Sequence, residues 1–547
     1  MNFEVEEILK DSGCVGLAQI NPIAGNLEYN ANKILEYINQ AEELGLDMVL
    51  FPKNALLGFY MPDFVERFPF ILEDVKKGLE IIAEKVQKTS VLLGYLGVDK
   101  KFYYAILRNG RVDKILEEQD YITSKHFHDG VEFYIKPVSY VSRAGSEYLR
   151  FKNLKDLAIN SKRIVFEINQ VGAIDGWSYA GMSCACDESG NIFAQAKDFE
   201  EQLLVLNPYT KKGCKYSAEL TKAPNEFSLD YDWDLERVYK SAVQGVKDYF
   251  AKCGLKRAVL GLSGGLDSTV CAVLLVDALG KENVYGVSMP SKLTSAESKS
   301  DAQELAENLG IGFTEASIKP MFETTDKCLQ ELFVDVEKTW ECRYKQSFTP
   351  DNIQARSRAI YLWGVANEFA SCVPIATSDK SELYMGYATI NGDMSGGYAP
   401  IADITKTKLF ALARWMNKNR EIKNVIPESI ILKRPGAELA IDPNTGKTLC
   451  AEDALMPYEF MDEVIWRVEN WHESYKDLME AQFIYEKKMN VSKEQKQEWL
   501  DKFFRRMSFA LYKGFILPPA TIIDTNSVLK TDYYQPITSG GISYMGK

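Results

Sequence analysis

The chain has 547 residues, which at roughly 150 residues per domain means more than one domain and excludes a single small module. Lysine and arginine number 64 against 77 aspartate and glutamate, a formal charge of −13. That balance excludes a protein that grips nucleic acid through a broad basic face, so an anionic ligand has to be met locally. Hydrophobic residues make up 46% and charged residues 26%, ordinary globular values without a low-complexity tract, so the whole chain is expected to fold. The start, Met1-Asn2-Phe3-Glu4, is acidic and leads into no apolar stretch, and no uncharged run is long enough to span a bilayer. No signal peptide and no membrane segment are expected. Ten scattered cysteines, three histidines and no paired Cys-x-x-Cys point to reduced thiols in the cytoplasm and away from a zinc site.

In chain order, an apolar run at 15–20 reads as a strand, 29–44 as an amphipathic helix, 48–51 as a buried strand and 73–88 as a helix. Strands then dominate: 90–97, 103–107, 163–171 and 182–194, with Asn109-Gly110 and Ser189-Gly190-Asn191 as hairpin turns. Residues 208–234 lack periodicity and are rich in Lys, Pro, Asn and Asp, the signature of a connector. An amphipathic helix from Leu235 to about Lys252 feeds a second block. There strands at 258–262, 283–289, 313–318 and 374–377 alternate with helices at 268–279, 300–309 and 354–369, as a doubly wound parallel sheet requires. The divisions are therefore 1–207, 208–234 and 235–547.

The strongest motif is Gly261-Leu262-Ser263-Gly264-Gly265-Leu266-Asp267-Ser268-Thr269, between a buried strand and an apolar helix. Its glycines let the backbone approach a ligand, and the following helix presents free N–H groups and a positive dipole end to an anion. Ser263, Ser268 and Thr269 add hydroxyls, whereas the carboxylate of Asp267 makes sense beside phosphate only with a bridging cation such as Mg²⁺. No Lys follows the glycines, so this is not a Walker A loop. A second constellation runs from Thr377-Ser378-Asp379-Lys380-Ser381-Glu382 through Gly392-Asp393-Met394-Ser395-Gly396-Gly397 to Thr405-Lys406. Its carboxylates suit a metal and its lysine suits a transferring phosphate.

Ser-Gly-Gly-x-Asp-Ser resembles the pyrophosphate loop of the ATP pyrophosphatases. With Asn352-Ile353-Gln354-Ala355-Arg356-Ser357-Arg358, Met289-Pro290-Ser291 and Pro435-Gly436-Ala437-Glu438-Leu439, residues from about 235 to 520 resemble NAD synthetase. The resemblance implies an adenine nucleotide alpha hydrolase-like domain and a ligase. In that family MgATP adenylates deamido-NAD, and ammonia displaces AMP to give NAD. By motif, Asp267 and Glu382 would hold Mg²⁺, Ser263, Gly264, Gly265 and Ser268 would cradle the pyrophosphate, Lys406 would stabilise the transferring phosphate and Thr377 the adenylate. Arg358, Asp393 and Lys513 would meet deamido-NAD. Asp379 stands where the family commonly has Asn, which on this reading removes a hydrogen-bond donor and changes no catalytic charge. The polar segments 291–300 and 433–452 read as lids. The family also implies a homo-oligomer, at least a dimer.

The first block, with Val15-Gly16-Leu17-Ala18-Gln19-Ile20-Asn21-Pro22, Phe51-Pro52 and Asn169-Gln170-Val171-Gly172, resembles the nitrilase-like glutaminase domain of the glutamine-dependent enzymes, an α/β sandwich with a Glu, Lys and Cys triad. The triad is not intact: the expected Glu is Lys53, the expected Lys falls on or beside Glu118, and 133–164 contains no Cys. Cys184 and Cys186 lie elsewhere and read as packed thiols. The expectation is an NAD synthetase with a degenerate glutaminase domain, supplied with ammonia from solution or a separate glutaminase. The alternatives are a relocated nucleophile and a nucleotide-binding scaffold without turnover.

Overall fold

The computed structural model describes residues 3–59, 62–118, 122–127, 132–216, 227–291, 295–340, 347–433, 452, 455–524 and 527. The chain divides into two compact units, Met1–Ala223 and Pro224–Lys547. In the first, β1 (Val15–Gln19), β2 (Met48–Leu50), β3 (Ser90–Leu96), β4 (Phe102–Arg108) and β5 (Arg111–Glu117) precede β6 (Ile122–Thr123), β7 (Phe133–Pro137) and β8 (Ile164–Ile168). There follow β9 (Val171–Ile174), β10 (Trp177–Ala180), β11 (Cys184–Cys186), β12 (Ile192–Gln195), β13 (Gln202–Asn207) and β14 (Lys212–Gly213). They form a seven-stranded sheet, β14-β13-β1-β2-β3-β4-β5, a five-stranded sheet, β12-β11-β8-β7-β6, and the hairpin β9-β10.

Alternation along the strands builds the layers, because successive side chains leave a strand on opposite faces. Leu17 and Leu50 meet Phe133, Phe166 and Ala185 in the core between the sheets. Ala18, Val49 and Val91 face the other way, onto helices Leu27–Glu43 and Ile71–Lys85. Helix Ser146–Ser161 covers the outer face of the five-stranded sheet with Phe151, Leu154 and Ala158 against Val165, Cys184 and Cys186. The result is a helix–sheet–sheet–helix sandwich. The stretch 163–171 is not one strand as its apolar run predicts: Asn169 accepts the N–H of Tyr140 at 2.8 Å and donates to Gly181 O at 3.2 Å. The chain thereby leaves the sheet, and Val171–Ile174 pairs with Trp177–Ala180 instead.

In the second unit β15 (Arg257–Gly261), β16 (Val284–Ser288), β17 (Gly312–Glu315) and β18 (Cys372–Pro374) are all parallel, in the order β17-β16-β15-β18. Ala258 and Leu260 point into a core with helices Leu235–Lys252, Leu266–Leu279 and Lys406–Asn419, and Val259 points to Leu362 of helix Thr349–Glu368. From β15 the chain winds outward to β17 and then returns to β18 on the other side of β15. The switch point of such a sheet opens a crevice beyond its carboxyl ends, where ligands bind. Helices Lys380–Tyr384, Tyr458–Trp471 and Lys493–Gly514 form an adjoining cluster around Tyr384, Phe460 and Phe503. The stretch 520–524 is anchored by Asp403, whose carboxylate accepts the N–H groups of Ile523 at 2.7 Å and Asp524 at 3.0 Å. No helix among the described residues is long and apolar enough to cross a membrane.

Candidate active site

β15 ends at Gly261 and the next helix starts at Leu266, so the glycine-rich motif is the turn between them. Gly264 sits at φ +73°, and a Cβ there would lie 2.1 Å from the carbonyl oxygen of Ser298. Only glycine fits that conformation and that approach without displacing backbone. Ser263 Oγ accepts the N–H of Gly265 at 3.2 Å, and Ser268 Oγ accepts the N–H of Ser263 at 3.3 Å and lies 3.2 Å from Ser263 Oγ. These bonds shape a cradle at the amino end of a buried helix.

Beside the cradle, Lys406 Nζ lies 2.7 Å from Asp267 Oδ1, 2.5 Å from Asp379 Oδ2 and 3.1 Å from Glu382 Oε1. Each partner has a local reason for its place. Asp267 is in the first turn after the glycines, and Asp379 caps helix Lys380–Tyr384 by accepting the N–H of Glu382 at 2.9 Å. Lys406 opens the helix Lys406–Asn419, and its N–H donates to Ser381 Oγ at 2.9 Å. Asp462, fully buried, accepts from Ser381 Oγ at 2.5 Å and from the Thr407 N–H at 2.8 Å, tying the starts of both helices to a third. Burial opposes the charge on Lys406, but the three carboxylates outweigh it and hold the ammonium pKa well above the ordinary lysine value. Burial pushes the Asp379 carboxyl up to about 7 against the pull of Lys406, and burial with its acidic neighbours raises Glu382. Oxygens of Asp267, Asp379 and Glu382 lie within 4.8 Å of one another, a hard-oxygen set that fits a divalent cation.

Cradle and cluster open on a cavity of about 590 Å³ lined by Ser263, Gly265, Asp267, Thr377, Glu382, Lys406, Arg358, Asp393 and Lys513. Gly264 and Ser268 shape the loop from behind: Gly264 packs on Ser298, and Ser268, buried, bonds to Ser263. Arg358 donates from Nε to Met289 O at 3.1 Å, and Asp393 accepts the Thr389 N–H at 2.5 Å. Lys513 donates to the carbonyls of Gly386 at 2.7 Å and Ala388 at 2.6 Å, so it braces the wall of the cavity. Sequence reasoning missed Asp379 as a charge of the site: it adds a third carboxylate to Lys406. It also missed Asp462, Tyr458, whose ring lies 5.5 Å from Lys406 Nζ, and Arg506, which bonds Met385 O at 3.0 Å. Their signal is tertiary, because each comes from a helix distant in sequence. Of the segments read as lids, 292–294 and 434–451 lie outside the described residues.

Residues 238–502 match the NAD synthase family. The glutamine-dependent NAD(+) synthetase of Synechocystis sp. is 30% identical over 531 residues, covering 86% of this chain and 90% of that protein. That of Aquifex aeolicus is 32% identical over 524 residues, covering 82% and 88%. The chain belongs to the glutamine-dependent NAD(+) synthetase family. A solved structure of a glutamine-dependent NAD+ synthetase from Acinetobacter baumannii, in complex with ADP, superposes with a TM-score of 0.66 at 25% identity, covering 97% of this chain and 99% of that one. A second, from Cytophaga hutchinsonii, shares the fold, with a TM-score of 0.77 at 19% identity and coverage of 97% and 98%. The chain is a carbon–nitrogen ligase that makes NAD by adenylating deamido-NAD with ATP, releasing pyrophosphate and then AMP.

Lys53 and Glu118 form an ion pair, with the Lys53 ammonium also 4.5 Å from the centre of the Phe102 ring. The interval 133–168 is entirely used by β7, a short turn, helix Ser146–Ser161 and β8, which pairs in parallel with β7 from Phe133↔Ile164 onward. The strand, the turn at 138–145 and the helix after it hold no Cys. Cys184 and Cys186 are fully buried on β11, and burial followed by the nearby Glu167 pushes the Cys184 thiol far up.

Proposed function

We propose that the second unit carries out both half-reactions and that the ammonia does not come from hydrolysis of glutamine in the first unit. The observation that carries this is the segment 133–164, which holds no Cys, with Lys53 and Glu118 paired where the resemblance expects a Glu and a Lys. A thiolate nucleophile needs a base and oxyanion donors, and a thiol as buried as that of Cys184 stays protonated. On this reading 1–207 is a nitrilase-like domain without glutaminase activity, 208–234 a connector and 235–547 the synthetase domain.

In the first half-reaction an oxygen of the nicotinate carboxylate attacks the α-phosphorus of ATP, and the bond to the bridging oxygen breaks with its electrons leaving on pyrophosphate. Ser263, Gly264, Gly265 and Ser268 receive the β and γ phosphates through backbone N–H groups and hydroxyls. Lys406 meets the negative charge growing at the α-phosphate, and Thr377 donates to the adenylate. Arg358, Asp393 and Lys513 border the deamido-NAD end of the cavity. In the second half-reaction ammonia attacks the activated carbonyl and AMP leaves. Asp267 and Glu382 would hold Mg²⁺, which neutralises phosphate charge when bound, and Asp379 keeps Lys406 in place beside them.

The enzyme would act in the cytoplasm, where its free thiols suit a reducing compartment. It would assemble as at least a homodimer through the synthetase unit, where helix Lys319–Val336 buries none of its residues and Leu332, Trp340, Ile360 and Phe369 are exposed. Sedimentation should give twice the chain mass, and a monomer would remove that part. The test of the function is NAD formation from deamido-NAD and MgATP with either ammonium chloride or glutamine, beside an Asp267→Ala control. Ammonium should support turnover, glutamine should not, and the control should be inactive. Equal rates with glutamine would overturn the reading and favour a relocated nucleophile.

A further inference from the structure

The loop that receives pyrophosphate has a second cation besides Lys406. Lys433 follows helix Glu428–Leu432, and its position is set by burial of Ile430 and Ile431 and by Ser429, whose hydroxyl donates to Asp301 at 2.6 Å. Asp301 belongs to helix Ala296–Leu309, so the two helices are locked together at that point. From there the Lys433 side chain reaches Ser298 Oγ in the first turn of the same helix. Ser298 is buried, takes a hydrogen bond from Ser295 Oγ at 2.9 Å, and carries the carbonyl against which Gly264 packs. Ser298 and Lys433 both line the cavity with Ser263, Gly265 and Asp267. The ammonium is thus held at the rim of the cradle by a residue in direct contact with the cradle's central glycine.

The charge balance gives this placement a purpose. Lys406 is engaged by three carboxylates, so cradle and cluster together are formally anionic before any phosphate arrives. When the bond from the α-phosphorus to the bridging oxygen breaks, the electron pair moves onto the departing pyrophosphate, and a cation near that oxyanion favours the departure. We propose that Lys433 is a binding residue for the β and γ phosphates of ATP and for the pyrophosphate they become. The proposal rests on the assignment of the glycine-rich loop as the pyrophosphate cradle.

The test compares Lys433→Met, which keeps length and removes charge, with Lys433→Arg. Steady-state NAD formation with ammonium gives KM for ATP and for deamido-NAD, and ATP–pyrophosphate exchange in the presence of deamido-NAD without ammonia gives the affinity for pyrophosphate. Loss of one charge-assisted contact is expected to weaken ATP and pyrophosphate binding by about 10-fold to 100-fold. KM for deamido-NAD should stay within about twofold, and Lys433→Arg should restore most of the loss. Unchanged constants for ATP and pyrophosphate, or an equal weakening for deamido-NAD, would overturn the proposal. Calorimetric titration of ATP and of inorganic pyrophosphate into both proteins reads the contact without turnover. If the wild-type enzyme made no NAD with ammonium, the proposed function would fall, while the same titration would still decide Lys433.

Discussion

Replacing Lys406 by Met leaves Asp267, Asp379 and Glu382 facing one another without their shared cation. Their oxygens lie within 4.8 Å, and at an effective dielectric of about 20 each pair of charges at that separation repels by about 3.5 kcal/mol. Three such pairs give about 10 kcal/mol of gross repulsion between fully charged groups, which protonation and small shifts relieve, so the realised loss should be about 3–5 kcal/mol near neutral pH. The sign of the pH dependence follows from linkage. Without Lys406 the folded-state pKa values of Asp379 and Glu382, already raised by burial, rise further above their unfolded values, so the folded variant binds protons that the unfolded chain does not, and its stability increases as pH falls through that window. Urea unfolding followed by tryptophan fluorescence should show a large deficit against wild type at about pH 8 that shrinks by about pH 5.5. The same variant should lose at least about 100-fold in kcat for ammonium-dependent NAD formation. A variant as stable as wild type at the higher pH, or a deficit independent of pH, would refute the picture of three carboxylates sharing one ammonium.

Gly264→Ala places a Cβ 2.1 Å from Ser298 O at a positive φ; it should cost at least about 1 kcal/mol and raise KM for ATP, both measurable on one preparation. Asp524 is held at a pKa of about 2, because Lys408 and Lys380 outweigh the upward effect of burial. Its ion pairs therefore contribute about 2 kcal/mol above the unfolded carboxyl pKa, lost as pH falls from about 4 toward 2. Asp524→Asn should flatten that limb of the stability curve measured by thermal unfolding. The exchange Lys53→Glu with Glu118→Lys should leave stability within about 1 kcal/mol, since the pair is partly exposed. It should produce no ammonia from glutamine, and release of ammonia would show that a nucleophile is present after all.

The second unit was the more legible part. The strand before Gly261, the glycines and the helix after them are local features, and the residues of the Ser263–Thr269 motif occur where their spacing puts them. Helix Ser146–Ser161 went unassigned because Glu147 and Arg150 are buried among its apolar residues, which blurs the period of its buried face. Helix Lys406–Asn419 went unassigned because Lys406 and Lys408, both buried, read as surface residues in the sequence. The sequence reading of Asp379 as a lost donor missed its charge, because only the fold brings Lys406 to within 2.5 Å of it. The tight turns at Asn109-Gly110 and Ser189-Gly190-Asn191 were legible, since positive φ at Asn109, Gly110 and Gly190 is encoded by those residues themselves.

The sequence by itself determined the parallel strand and helix alternation, the glycine-rich turn between strand and helix, and the absence of a Cys from 133–164, because periodicity, glycine spacing and the presence of a Cys are local properties of the chain. Only the tertiary structure decided that Cys184 and Cys186 are sealed beneath a helix, that Asp379 completes the charge cluster, and that Lys433 touches the wall of the cradle. Those facts depend on which residues, up to 139 positions apart, are brought within a few ångströms of one another, and burial then sets whether a charge or a thiol can act.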